Sequence, residues 1–408
     1  MTQRYDTYKD SGVQWLGDIP GHWGCVPLKY FIETKSGTAI NVKELDDKGT
    51  YPVYGGGSQI GFCNKYNCEE TEIIVGRVGA KCGCVTFPNK KVWATDNALI
   101  IKTNLYPRFT AFVLVAADLN RLNAANAQPL ITGTKIKHVR IALPPLSEQR
   151  SIVSFLDAKC GKIDEWVTKK QKEVEHLQEL KQRVIADAVT RGLNPNVKMK
   201  ATNILWIKEI PEHWEIKRLK YLVSCNDESL TNTENPNLEI NYVEIGDVND
   251  INGIAHITKY RFEDAPSRAR RKTRKDDVIV STVRTYLKAI AKVPDNGIIV
   301  STGFAVLRAI DVNSSYLAFC CISSNFIDSV VALSKGISYP AITASELLNL
   351  FIPVPPLSEQ KQIVSYLDTK CSKIEKLIAN INKEIERIKE YKQRLISDVV
   401  TGQIKVNQ

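Results

Sequence analysis

The side chains best suited to chemistry in this sequence are cations. Arg268-Ala269-Arg270-Arg271-Lys272-Thr273-Arg274-Lys275 sets six basic residues within eight positions, a density that suits neutralising phosphates. A solvated charged loop has the same composition, but the run lies just ahead of the apolar Val278-Ile279-Val280, which favours a contact to a nucleic-acid backbone. Such a contact positions a duplex without telling one base from another. Arg284, Tyr286 and Lys288 follow the apolar segment, and Arg77 and Lys81 hold a comparable place after Ile73-Ile74-Val75. An arginine fork can bond guanine through the major groove, worth ~1 to 3 kcal/mol of discrimination; each of these residues also fits a phosphate contact or plain surface charge. Gln128 offers an amide to adenine, and beside Pro129 it fits a turn cap equally well. Gly55-Gly56-Gly57, flanked by Tyr54 and Ser58, either brings backbone amides to a phosphate or makes a tight turn.

Other chemistries find less support. Cys63, Cys68, Cys82 and Cys84 fall within 22 residues, but their spacing is not that of paired CxxC knuckles, so reduced thiols are the reading preferred to structural zinc. Asp247 and Asp277 are scattered carboxylates without a paired acid or a nucleophile–base constellation. The sequence holds no GxxxxGK[ST] loop, no Asn/Asp-Pro-Pro-aromatic motif of an amino-methyltransferase and no glycine fingerprint after a clear strand. The net charge of +10, from 55 basic and 45 acidic residues, is compatible with a polyanionic partner. The polar N-terminus and the lack of ~18 consecutive apolar residues predict a soluble, cytoplasmic chain without a membrane span.

The elements that must carry these cations are written twice. Pro144 to Ile163, PPLSEQRSIVSFLDAKCGKI, and Pro355 to Ile374, PPLSEQKQIVSYLDTKCSKI, match at 15 of 20 positions. Earlier in each half, Trp15 to Trp23 (WLGDIPGHW) echoes Trp206 to Trp214 (WIKEIPEHW). The four tryptophans suit anchors pinning each N-terminal segment, with base stacking as the alternative. Between these blocks only a faint skeleton is shared: Glu72 to Val75 with Asp277 to Val280, Ala98 with Ala305, and Pro129 to Thr132 with Pro340 to Thr343.

After each PPLSEQ the apolar residues step by three and four, the seam of a coiled coil, with Ser147 and Ser358 as expected N-caps. The first seam takes Val153, Leu156, Cys160, Ile163, Val174 and Leu177; the second takes Val364, Leu367, Cys371, Ile374, Ile378, Ile381, Ile385, Ile388 and Leu395. Lys181 and Lys392 interrupt the seams at matching positions, either fixing register or facing partner subunits. The predicted organisation is a domain over 1-145, a helical spacer over 146-192, a second domain over 193-356 and a second spacer with its tail over 357-408. The fold class is α+β: two similar mixed α/β domains separated by two long helices in an antiparallel coiled coil, a pseudo-two-fold tandem repeat. A helix from Ser147 to Thr190 extends ~65 Å, roughly 20 base pairs of duplex, so two similar but diverged domains would read two different half-sites.

Tyr8-Lys9-Asp10-Ser11-Gly12-Val13-Gln14-Trp15-Leu16-Gly17-Asp18-Ile19-Pro20-Gly21-His22-Trp23, both PPLSEQ blocks and Asp277 to Arg284 together resemble the specificity subunits of type I restriction-modification systems, over essentially the whole chain. The resemblance implies two target-recognition domains that bind double-stranded DNA and helical regions that dock two modification subunits. It also implies adenine methylation by those partners and restriction by further motor subunits. No cofactor is then expected in this subunit, while the partners would use S-adenosylmethionine, ATP and magnesium. A coiled-coil scaffold for protein or sugar partners explains the helices but not the basic runs.

Overall fold

The computed structural model describes residues 4–122, 130–204, 206–249, 253–336 and 339–406. Two compact units emerge, Met1–Gln171 with Ile381–Gln408, and Lys172–Asn380. Each holds one α+β domain, the start of the long helix that follows it and the end of the other long helix.

In the first unit the central sheet has the spatial order Ile32–Ser36, Ala98–Thr103, Ile73–Gly76, Val85–Thr86, all antiparallel. Its inner strands are apolar without a break because both faces are covered, and the two-residue period of a strand sorts their side chains. Ile73, Val75, Leu99 and Ile101 join the main core with Phe109 and Phe112 of the helix Pro107–Ala116. Ile74, Ala98 and Ile100 face a small cluster with Cys68, Val92 and Ala94. The second unit repeats this with Val223–Cys225, Phe304–Ala309, Val278–Ser281 and Ile290–Lys292. Val278, Val280, Ala305 and Leu307 enter the main core, and Ile279, Phe304 and Val306 enter a smaller one. In each unit a second sheet contains one parallel pair, Tyr51–Gly55 with Trp93–Ala94 and Glu239–Val243 with Ile298–Ser301. Strand register corrects one sequence correspondence: Ala98 faces Gly76 as Phe304 faces Ser281, so the counterpart of Ala98 is Phe304, not Ala305.

The long helices are Leu146–Arg191 and Leu357–Val400, of 46 and 44 residues. They begin one residue before the expected serine caps. The Gln149 amide donates to Pro145 O and that of Gln360 to Pro356 O, so each proline carbonyl accepts the first helical bond and Ser147 and Ser358 lie in the first turn. A buried glutamine imposes this start. Gln149 Nε2 donates to Pro144 O at 3.0 Å while its Oε1 accepts the amide of Tyr106, the cap of the helix Pro107–Ala116. Gln360 makes the same two bonds, to Pro355 O and from the amide of Asn313, the cap of Ser314–Ile322.

The glutamate before each glutamine makes the second tie. Trp23 Nε1 donates to Glu148 Oε2 at 3.0 Å, with Tyr5 Oη on the same oxygen and His22 Nε2 2.7 Å from the other. In the second unit Trp214 Nε1 and His213 Nε2 lie 3.1 and 2.9 Å from Glu359 Oε2. Both indoles are fully buried, and a carboxylate in the first turn also suits the helix dipole. The repeated tryptophans are therefore anchors. Trp15 and Trp206 are partly buried against the same cores.

Beyond these joints the helices run antiparallel. In the first unit Val153, Leu156 and Cys160 share a core with Leu395 and Val399, and Lys392 Nζ pairs with Asp164 at 2.7 Å. In the second, Ile185 and Val189 share a core with Leu367 and Cys371, and Lys181 Nζ pairs with Glu375 at 2.7 Å. Ile374, Ile378, Ile381 and Ile385 are buried, whereas Ile163, Val174, Leu177, Val364 and Ile388 are half-buried; at its start the second helix buries Ile363 in place of Val364. No single helix among the described residues is long and apolar enough to cross a membrane.

Burial acts to raise the Glu148 carboxyl, but hydrogen bonds from His22, Trp23 and Tyr5 outweigh it and hold the group below the ordinary glutamate value. A depressed folded-state value means that this contribution is present above the unfolded pKa of ~4.3 and is lost as pH falls through the folded value. Glu148→Gln is expected to unfold at a lower urea concentration than wild type near neutral pH, with the gap closing below about pH 4. A gap of constant size down to about pH 3 would show that the charge of Glu148 is not what holds the joint.

Candidate nucleic-acid interface

Both domains build one turn at the end of a central strand, and three neighbours hold it. In the first domain Ile73–Gly76 leads into Arg77, Val78 and a 3-10 turn Gly79–Lys81; in the second Val278–Ser281 leads into Thr282, Val283, Arg284 and Thr285–Leu287. The Arg77 amide donates to Asn97 O, and that of Thr282 to Gly303 O. Arg77 O accepts the Ile131 amide as Thr282 O accepts that of Ile342, and the bridges Val78 to Leu130 and Val283 to Ala341 complete the match. The shared Pro-x-Ile-Thr segments thereby gain a role: the isoleucine is buried and ties down the turn, and Thr132 or Thr343 caps the short helix that follows.

On this common frame the chemistry differs. Arg77 corresponds to Thr282, Gly79 to Arg284, Lys81 to Tyr286 and Gly83 to Lys288. Gly79 and Gly83 have φ of +74° and +84°; Arg284 and Lys288 keep the same left-handed backbone, at +52° and +53°. Every other described residue with positive φ is Gly, Asn or Asp, the types that tolerate it, and for Arg or Lys the conformation costs of the order of 1 kcal/mol each. Arg284, Tyr286 and Lys288 are exposed. The Arg284 guanidinium sits 5.1 Å from the ring centre of exposed Tyr339, which belongs to a loop closed by paired backbone bonds between Lys335 and Ala341. Thr285 Oγ1 donates to Ser334 Oγ at 2.8 Å, locking the turn to this loop. In the first domain Arg77 is half-buried, with one guanidinium nitrogen 3.3 Å from Ser36 Oγ and its Nε without a partner, and Lys81 is exposed.

Half of the basic run is strand and the rest is turn or irregular backbone. Ala269–Lys272 is an edge strand of the second sheet in the second domain, and the segment Glu228 to Leu230 lies along its outer side. Acidic side chains from that side claim part of the charge: Lys272 pairs with Glu234, and Arg274 with Glu228. Arg270 stacks over Phe262 and reaches Asn232; Arg271 reaches Ser229 and leaves its Nε unpartnered. Arg268 and Lys275 are exposed, and Arg268, Arg270, Arg271 and Lys275 have no acidic partner among the described residues. Gln128 lies outside the described residues.

The remaining candidates resolve into structure. Gly55-Gly56-Gly57 is a hairpin tip, with Gly56 and Gly57 at positive φ. A Cβ on Gly57 would stand 2.9 Å from Cys84 Cβ, so the tip packs against the 76–84 turn. Cys63, Cys68 and Cys82 lie in three different core clusters, Cys84 is exposed, and burial pushes the Cys68 thiol up to about 12. No three His, Cys, Asp or Glu side chains converge as a metal site among the described residues. Asp247 caps a turn by accepting the Glu244 amide. Asp277, buried at 2% exposure, takes the Arg308 fork at 3.0 and 2.9 Å and the Arg274 amide.

The family model for the type I restriction modification DNA specificity domain matches residues 20–176 and 211–387. The chain belongs to this specificity family. Among curated relatives, the type I restriction enzyme MjaVIII specificity subunit of Methanocaldococcus jannaschii is 24% identical, over 95% of this chain and 94% of that one. The EcoDI specificity subunit of Escherichia coli is 19% identical over 95% and 90%. A solved structure from work on complex assembly and conformational transition of the type I R-M system has the same fold, with a TM-score of 0.63, 19% identity and coverage of 94% and 98%.

For this member of the specificity family, sequence reasoning passed over Tyr339, whose tie to Arg284 runs through a loop 55 residues away in the chain. It also passed over the Glu-Gln pairs that open the helices, although their exact repetition in PPLSEQ was the available signal. Removing the Asp277 carboxylate leaves Arg308 half-buried with only the exposed-side Asp227 and Glu228. Asp277→Ala is therefore expected to destabilise the second domain by roughly 3 kcal/mol in urea unfolding; a loss under about 0.5 kcal/mol would mean that the other two acids suffice.

Proposed function

We propose that the chain is the non-catalytic subunit that selects an asymmetric, two-part duplex target, one part per domain, for adenine methylation and restriction by its partners. The observation that carries this is the matched turn: the same three-sided frame presents Arg77 and Lys81 in one domain and Arg284, Tyr286 and Lys288 in the other. Equivalent scaffolds with different donors suit two different sequences. Membership of the specificity family supports partnership with DNA and with other subunits; we take these to be two modification subunits using S-adenosylmethionine, with motor subunits using ATP and magnesium, in the cytoplasm. The domains lie within 1-145 and 193-356, and the helices between and after them set the gap.

Phosphate contacts come from Arg268, Arg270, Arg271 and Lys275, whose charges no acid among the described residues neutralises, with Lys272 and Arg274 held in place by theirs. Gln128 stays a candidate adenine contact.

Genomic methylation, mapped in cells expressing the chain with its neighbouring modification subunit and in cells lacking only this chain, tests the reading. A gapped adenine-methylated motif is expected only when the chain is present; no dependence on the chain, with an active partner, overturns it. Replacing Arg268 and Lys275 together by alanine is expected to make the slope of log affinity against log salt less negative by about 0.9 for each phosphate no longer neutralised, for target and unrelated duplex alike.

A further inference from the structure

Resting on that reading, we propose that Arg284 reads a guanine in the half-site of the second domain, held in position by Tyr339, and that Lys288 neutralises an adjacent phosphate. The first domain makes no base contact from the equivalent points of its turn.

Two domains fold the same turn, with the same strand, the same amide bond on its far side and the same Ile-Thr brace. The first domain places glycine at both left-handed positions, the residue that adopts them without strain. The second places Arg284 and Lys288 there, against backbone preference, and leaves both side chains in solvent. Neither cation has an acidic partner among the described residues that would explain its presence by stability. Strain kept where relief is one substitution away marks a position at which the side chain serves something outside the fold.

Geometry separates the two cations. Arg284 Cζ lies over the Tyr339 ring, 5.1 Å from its centre, so the guanidinium has a ring to rest on, and no hydrogen bond among the described residues claims its donors. A planar fork held by a ring is the arrangement that meets guanine O6 and N7 together. Lys288 stands at the far end of the 3-10 turn Thr285–Leu287 with no ring over it among the described residues, which suits a point contact to phosphate. Exposed Tyr286 lies between them. Tyr339 is a positioning residue in this scheme: it acts on the base through Arg284.

The test uses the chain assembled with its modification subunit and duplexes carrying the mapped target. Each guanine of each half-site is replaced in turn, and affinity is measured for wild type, Arg284→Lys, Arg284→Gly, Lys288→Gly, Tyr339→Ala and Tyr339→Phe. Wild type is expected to lose roughly 5- to 150-fold at one guanine of one half-site. Arg284→Lys is expected to bind unrelated duplex as wild type does but to lose the preference at that guanine alone. Tyr339→Ala is expected to blunt the same preference and Tyr339→Phe to restore it. Lys288→Gly is expected to keep the preference and to make the salt slope less negative by about 0.9. Thermal midpoints of Arg284→Gly and Lys288→Gly are expected to equal or exceed that of wild type, because glycine relieves the left-handed backbone. A lowered midpoint, a guanine preference unchanged in Arg284→Lys, or an equal loss in both half-sites overturns the assignment. Failure of the wild-type assembly to prefer its mapped target over unrelated duplex would instead sink the function proposed above, and this inference with it.

Discussion

The structure depends on a joint of two adjacent side chains. A tryptophan indole buried without an acceptor would leave a polar N–H stranded in an apolar core. Glu148 and Glu359 supply that acceptor from the first turn of a long helix. The next residue, Gln149 or Gln360, bonds the strand leaving the domain and the cap of the domain's own helix at once. Rotation of the long helix about its axis would break both sets of bonds together. The antiparallel pairs Gly24–Pro27 with Arg140–Leu143 and Glu215–Arg218 with Phe351–Val354 carry the chain into the joint from opposite sides. Each domain is therefore seated on its helix by directional bonds rather than by apolar packing alone.

The lysines in the seams extend the same logic along the helices. Apolar residues stepping by three and four fix which face is buried but tolerate a slide of one heptad. Lys181 meeting Glu375 and Lys392 meeting Asp164 do not tolerate it. All four residues are partly exposed, so the pairs add little stability. Their worth lies in register.

The duplicated framework was legible because repetition needs no physical model: identical PPLSEQ blocks announce matching helices, and the apolar run Val278-Ile279-Val280 suits a buried strand. What escaped was decided by partners distant in sequence. Nothing near Arg274 and Lys272 reveals that Glu228 and Glu234 lie beside them, so the run of six basic residues has a third of its charge already paired. The serine in PPLSEQ resembled a cap by local preference, yet tertiary bonds from the glutamine two places on moved the helix start to the proline. Left-handed backbone at Arg284 and Lys288 was hidden for the opposite reason: these residue types argue against it, and only comparison with Gly79 and Gly83 makes it intelligible.

A duplicated domain diverges where its frame permits. Residues that brace the turn cannot change without loosening it, since Ile131 and Ile342 are buried and their amides hold the strand end. Residues at its exposed corners are free to change as long as the backbone keeps its path. A left-handed corner is the extreme case, because glycine there is the relaxed solution and any longer side chain is strained. The strain of the second turn is spread over two residues whose side chains point to solvent, while the sheet beneath, with Val280 and Ala305 fully buried, stays as regular as in the first domain. The rim can thus change its side chains without disturbing the core, and nothing in the long helices has to change with it.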